Sequence, residues 1–165
     1  MTLSILGLLL ALGAEPAAAK RPPVRVDAEE IRYDYKERTI AFVGRPTVKL
    51  TREDAVLLCG KVLAENDADG KIVRATCSGD VKIVRGTRTV TCDSAVFVEA
   101  TAVVTCRSSP GRPVTLADGP STVTGQELLY DLDRDLVTLR GQVVGDIVPQ
   151  GGVPGLPRRK KEATR

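Results

Sequence analysis

The side chains with the most distinctive chemistry in this 165-residue chain are four cysteines, Cys59, Cys77, Cys92 and Cys106. None is closer than 14 residues to the next, so the short C-x2-4-C pairs of a zinc site are missing. A thiol nucleophile would want a basic partner, and the chain has no histidine. Disulfides, buried thiols and metal ligation are the fates to weigh, and an exported chain would favour the first.

Other chemistry is poorly served. There is no tryptophan, one methionine and only three tyrosines and two phenylalanines, which removes most stacking platforms along with the commonest general base and metal ligand. The run Asp131-Leu132-Asp133-Arg134-Asp135 has the look of a calcium loop, but Leu136 stands where glycine is needed and Gln142 where glutamate is needed. Similar polar runs, Asp34-Tyr35-Lys36-Glu37 and Asn66-Asp67-Ala68-Asp69-Gly70, recur between apolar segments, so these aspartates read as turn formers. Glu29, Glu30 or Glu127 would serve an enzyme only as a pair in a cleft. No phosphate-binding loop or nucleophile elbow occurs. The expectation is a protein that is not an enzyme and uses no metal and no cofactor.

The formal charge of +3 is uneven. Residues 1–19 carry only Glu15, while residues 158–165 carry five basic side chains against Glu162, leaving the body neutral. A neutral body lacks the basic face that nucleic acid requires. The tail could touch anionic lipid, but a short charge run after a linker is more often a solvated end.

Those residues need elements to hold them. Leu3–Leu12 is an apolar run of about ten residues, too short for the roughly 20 of a membrane span, and Ala17-Ala18-Ala19 is a small-residue site. Residues 1–19 therefore read as a cleaved secretory signal. From Val24 to about Ile147 apolar and polar residues alternate and β-branched types abound, which is the period of strands. From Pro149 a Gly/Pro-rich stretch leads into the basic tail, so 148–165 reads as linker and tail.

The strand region repeats. Asp27-Ala28-Glu29, Leu58-Cys59-Gly60, Thr91-Cys92-Asp93 and Thr124-Gly125-Gln126 align, with Ala28, Cys59, Cys92 and Gly125 spaced 31, 33 and 33 residues apart. Second strands align through Phe42-Val43-Gly44, Cys77-Ser78-Gly79 and Leu139-Arg140-Gly141, while the third unit offers Cys106-Arg107-Ser108 without the glycine. Four units of two strands, stacked so that neighbours bury each other's apolar faces, are expected. Cys59 and Cys92 hold matched positions, as do Cys77 and Cys106, so the pairing Cys59–Cys92 and Cys77–Cys106 is expected among the three possible ones. Each bridge would close a loop of about 30 residues and add roughly 3–4 kcal/mol.

Val26-Asp27-Ala28-Glu29-Glu30-Ile31-Arg32-Tyr33 with Ile40-Ala41-Phe42-Val43-Gly44 resembles the opening repeat of the LptA/OstA-like lipopolysaccharide-transport family. The segments 70–81, 125–131 and 137–141 resemble its later repeats, so the likeness covers about Val24 to Ile147. The resemblance implies an all-β fold, a β-jellyroll or bent β-sandwich over residues 24–147, with an apolar groove for the acyl chains of lipopolysaccharide. It implies a passive periplasmic conduit without cofactor, fed by an inner-membrane transporter component, emptied into an outer-membrane acceptor, and joined head to tail as a homo-oligomer. Groove candidates are Ile31, Tyr33, Ile40, Phe42, Val81, Ile83, Phe97, Val104, Leu128, Tyr130, Val137 and Leu139, although a plain core would use the same residues. Rival readings are an LptC-like relative anchored by a retained Met1–Leu12, and a structural or glycan-binding β-repeat protein.

Overall fold

The computed structural model describes residues 23–149. The expected signal at 1–19 and the basic end of the tail lie outside them. Among the described residues there are twelve strands, one short 3-10 turn and no α-helix, as the two-residue alternation and the β-branched composition dictate. The strands are β1 (Arg25–Asp27), β2 (Glu30–Asp34), β3 (Thr39–Arg52), β4 (Ala55–Asn66), β5 (Ile72–Arg85), β6 (Arg88–Val98), β7 (Val103–Arg107), β8 (Val114–Asp118), β9 (Ser121–Gly125), β10 (Glu127–Asp131), β11 (Leu136–Arg140) and β12 (Val144–Asp146).

All pairings are antiparallel, and they sort into two layers. In the first, β2, β3, β4, β5, β6, β7, β10 and β11 follow one another. In the second the order is β1, β3, β4, β5, β6, β8, β9 and β12. The long strands β3 to β6 belong to both, and each shifts register where it passes from one layer to the other, at Val43/Val48, Leu58/Lys61 and Ser78/Val81. The sandwich is thus a V in section: a bend along one side, and on the other a mouth formed by the hairpin turns of the two layers.

Glycine makes part of the bend. Gly79 has φ +82°, and an added Cβ would lie 3.5 Å from Gly60, so the two backbones approach there without side chains between them. Gly141, two residues beyond Leu139 as Gly79 is two beyond Cys77, has φ +75° and would meet the Gln126 side chain.

The aspartates act as turn formers. Asp34 Oδ1 accepts from the Lys36 and Glu37 N–H groups, Asp67 Oδ1 from those of Asp69 and Lys71, and Asp131 Oδ1 from those of Asp133 and Arg134. The four-unit repeat is explicit in the register. Ile31 faces Phe42, Val62 faces Cys77, Ala95 faces Cys106 and Leu128 faces Leu139, each three residues beyond Ala28, Cys59, Cys92 and Gly125. Unit three lacks the glycine at Ser108, and there the chain leaves the sheet as the 108–113 loop between β7 and β8.

Candidate functional site

Strand pairing lines up two apolar rows on the inner face of the first layer. The row nearer the bend runs Ile31, Phe42, Val62, Cys77, Ala95, Cys106, Leu128 and Leu139, each the register partner of the next. The row nearer the mouth runs Tyr33, Ile40, Ala64, Ala75, Phe97, Val104, Tyr130 and Val137 in the same way. At a strand spacing of about 4.8 Å, eight strands carry each row over roughly 30 Å. Opposite them the second layer presents Val26, Leu50, Leu57, Ile83, Val90 and Leu116, again partner to partner.

Ten of the twelve groove candidates lie in these two first-layer rows, and Val81 and Ile83 lie in the facing layer. Val81, Ile83, Val104, Leu128 and Tyr130 are buried, and Phe42, Phe97, Val137 and Leu139 are half-buried against them. Ile40 is half-buried. Ile31 and Tyr33 depart from the expected interior position: they are 45% and 54% exposed. They belong to β2, which pairs only with β3, so no further strand shields them. At the opposite end of the rows Val137 and Leu139 of β11 are half-buried against the core, while the exposed Leu136 and Val144 alternate with the inward positions and lie on the outer face. The rows therefore pass from a closed middle, with small Ala, Val and Cys side chains, to one open apolar end at β2.

The expected cysteine pairing is corrected. All four thiols are free and buried. Cys77 donates to the Cys59 sulfur and Cys106 to that of Cys92. Cys59 and Cys92 donate in turn to the carbonyls of Lys61 and Ser94 at 3.4 and 3.2 Å. Matched positions of successive units are two strands apart, β4 to β6 or β5 to β7, which is roughly 10 Å and beyond the reach of a bridge. The hydrogen bond to its partner sulfur, and then burial, push the Cys77 and Cys106 thiols well above their ordinary range.

The mouth carries polar chemistry that the sequence reading missed. Tyr130 stands in the mouth-side row, and its phenol donates to Asp135 Oδ1 at 2.6 Å and accepts from Arg85 Nη1 at 3.0 Å. Arg88 makes a two-pronged contact with Asp135 at 3.0 and 2.8 Å, and Arg85 also meets Asp54 at 3.3 Å. Arg85 and Arg88 flank the β5–β6 turn of the second layer, while Tyr130 and Asp135 flank the β10–β11 turn of the first, so the cluster clasps the two layers across the mouth. The Arg88 guanidinium, helped by the Tyr130 hydroxyl, holds the Asp135 carboxyl well below the usual carboxylate range. Burial, and then the bond to Asp135, raise the Tyr130 phenol.

The carboxylates considered for catalysis are engaged separately. Glu29 pairs with Arg45, Glu30 with Arg32, and Glu127 with Arg107. Outside the sandwich, a cleft of about 320 Å³ at the bend is lined by Asp80, Lys82, Asp93 and Arg112 among others. Asp93 there accepts from the Ser109 N–H at 2.7 Å and pairs with Arg112 at 3.2 Å, tying the 108–113 loop to the bend. The Ser109 bond holds its carboxyl low. Among the described residues no group of three or more acidic, cysteine or histidine side chains is placed to hold a metal, and no helix is long and apolar enough to cross a membrane.

No protein-family model matches the sequence, and no curated protein is similar to it in sequence. Among solved structures the chain is similar to the crystal structure of LptH, the LptA-homologous periplasmic component of the lipopolysaccharide transport device from Pseudomonas aeruginosa. The TM-score is 0.64 at 17% identity, over 78% of this chain and 96% of that one. The fold is thus an LptA-like bent β-jellyroll.

Proposed function

We propose that this chain is a periplasmic lipopolysaccharide-binding protein that carries acyl chains as a passive conduit between the inner and outer membranes and catalyses no reaction. The observation that carries the reading is the pair of apolar rows, unbroken across eight strands and exposed at the β2 end. The fold it shares with a periplasmic transport component supports the same reading.

Each methylene kept from water is worth about 0.8 kcal/mol, so an acyl chain needs a covered path. Chains would enter between the layers from the mouth, where the Tyr130–Asp135–Arg85–Arg88 clasp is made of groups that water or an anionic headgroup can compete for. The bend stays shut because its contacts are backbone approaches and buried side chains. Handing a chain from one apolar end to the next changes apolar exposure little, so direction comes from an energised inner-membrane partner. The unpaired outer edges of β1, β2, β11 and β12 supply strands for docking that partner, an outer-membrane acceptor or a second copy.

The test is photocrosslinking in growing cells, with a photoreactive residue at Phe42, Phe97 or Tyr130 and a control at exposed Lys82. Lipopolysaccharide adducts at the three inward positions and not at Lys82 are expected. Adducts at none of them, in a chain that is exported and folded, would overturn the conduit and leave a closed structural sandwich.

A further inference from the structure

Along the bend the four cysteines form two identical devices. Cys59 on β4 and Cys92 on β6 each stand three residues before a register position, Val62 and Ala95, whose partners on the next strand are Cys77 and Cys106. In each device the two sulfurs are within hydrogen-bonding reach of each other, on directly neighbouring strands and at 5% exposure or less. The units before and after put Ala28 with Phe42 and Gly125 with Leu139 in the same relation, and a Cβ on Gly125 would come within 3.4 Å of the Leu139 side chain. The same positional relation recurs in every unit, and in the two central units both members are thiols.

We propose that Cys59–Cys77 and Cys92–Cys106 are disulfide staples, closed as the chain folds in an oxidising compartment, that fix the bend of the two central units. The co-reactant is a disulfide-bearing oxidant, either a small-molecule disulfide or a disulfide-exchange protein. A cysteine thiolate attacks one sulfur of the oxidant, forming a mixed disulfide and releasing one thiol. The neighbouring cysteine thiolate then attacks the protein-side sulfur, forming the Cys–Cys bond and expelling the second thiol. The protein dithiol loses two electrons and two protons, and the oxidant's disulfide becomes two thiols. Because the native sulfurs are buried, closure must precede or accompany the packing of the two layers.

The staples sit beside the register shifts of β4–β5 and at the strand where β6 leaves its second-layer partner β8 for its first-layer partner β7. They would therefore lock the angle of the V while the mouth stays free. This depends on an oxidising compartment and not on lipid carriage, so it stands or falls separately from the conduit.

The full chain is refolded from its reduced, denatured form in a glutathione redox buffer. Free thiols are blocked under denaturing conditions, and the chain is cut with trypsin and a glutamate-specific protease, which separates Cys92 from Cys106 at Glu99. Mass spectrometry should find Asp54–Lys61 joined to Ala75–Lys82 and Thr89–Glu99 joined to Ala100–Arg107, with two hydrogens lost per bridge. Linkage of Cys59 to Cys92 or of Cys77 to Cys92, or four blocked thiols, overturns the proposal. Two double variants guard against misfolding. Cys92→Ser with Cys106→Ser should keep the first bridge, and Cys59→Ser with Cys106→Ser should form no internal bridge. A bridge in the latter, or none in the former while it remains folded by circular dichroism, is equally fatal.

Discussion

The bend and the mouth of the sandwich close the same two layers by different physics. At the bend the closure is made of backbone contact at Gly60 and Gly79 and of side chains with no access to water, Val48, Cys59, Cys106 and Val114 among them. At the mouth it is made by charged groups that keep about a third or more of their side-chain surface, Arg85 at 30%, Arg88 at 32% and Asp135 at 48%. Buried apolar contact has no competitor in solution, whereas an exposed ionic clasp competes with water, salt and any anion. Under the proposed function, a conduit that must admit a lipid sideways and still hold its shape needs that asymmetry.

The sharpest way to break the contrast is to remove a bend-side side chain. Leu128 is fully buried between Cys106 and Leu139 in the bend-side row. Leu128→Ala should cost about 2–5 kcal/mol, as other buried leucines do, read as a lower midpoint in urea denaturation. A loss under about 1 kcal/mol would mean that the layers collapse onto the gap, and that the bend is no more rigid than the mouth.

At the mouth the matching change is smaller. Tyr130→Phe keeps the ring in its row and deletes one hydrogen-bonded hydroxyl, a loss of about 1 kcal/mol. The same variant should give more lipopolysaccharide crosslinking at Phe97, its near neighbour in the mouth-side row, because the clasp opens more readily. An unchanged or weaker crosslink together with lost stability would make the clasp a plain stabiliser and not an entrance.

How much of this was legible in the sequence follows from which forces act locally. The alternation from Val24 to Ile147 and the spacing of Ala28, Cys59, Cys92 and Gly125 carried the strands and the four-unit repeat, since strand period and turn chemistry are local. The same repeat misled on the cysteines: equivalence between units was read as adjacency, yet each unit contributes two strands, so equivalent residues are separated by the strand between them. Ile31 and Tyr33 fit the inward pattern, but their exposure depends on β2 being an edge, which no local pattern reveals. Arg85 and Tyr130 are 45 residues apart and Arg88 and Asp135 are 47 apart, so only the folded V brings them together. One signal was available: a buried tyrosine in an inward row generally has a partner for its hydroxyl.

The smallest expected effect separates the two sides by pH. Asp135 is held below the usual carboxylate range by Arg88 and Tyr130, so its folded pKa is lower than its unfolded one. A group of that kind contributes stability that is complete above its unfolded pKa, about 4, and is lost as the pH falls through the folded value. Acid should therefore loosen the mouth first, and only below about pH 4. The buried members of the bend are apolar side chains and protonated thiols, and its carboxylates Asp80 and Asp93 lie on its outer surface. Urea midpoints measured from pH 6 downward should fall less steeply below pH 4 for Asp135→Asn than for the parent chain, while Leu128→Ala keeps the parent slope from a lower start. Parallel curves for Asp135→Asn and the parent would mean that the clasp holds no more charge in the folded chain than in the unfolded one, and the mouth would then owe its closure to the apolar rows alone.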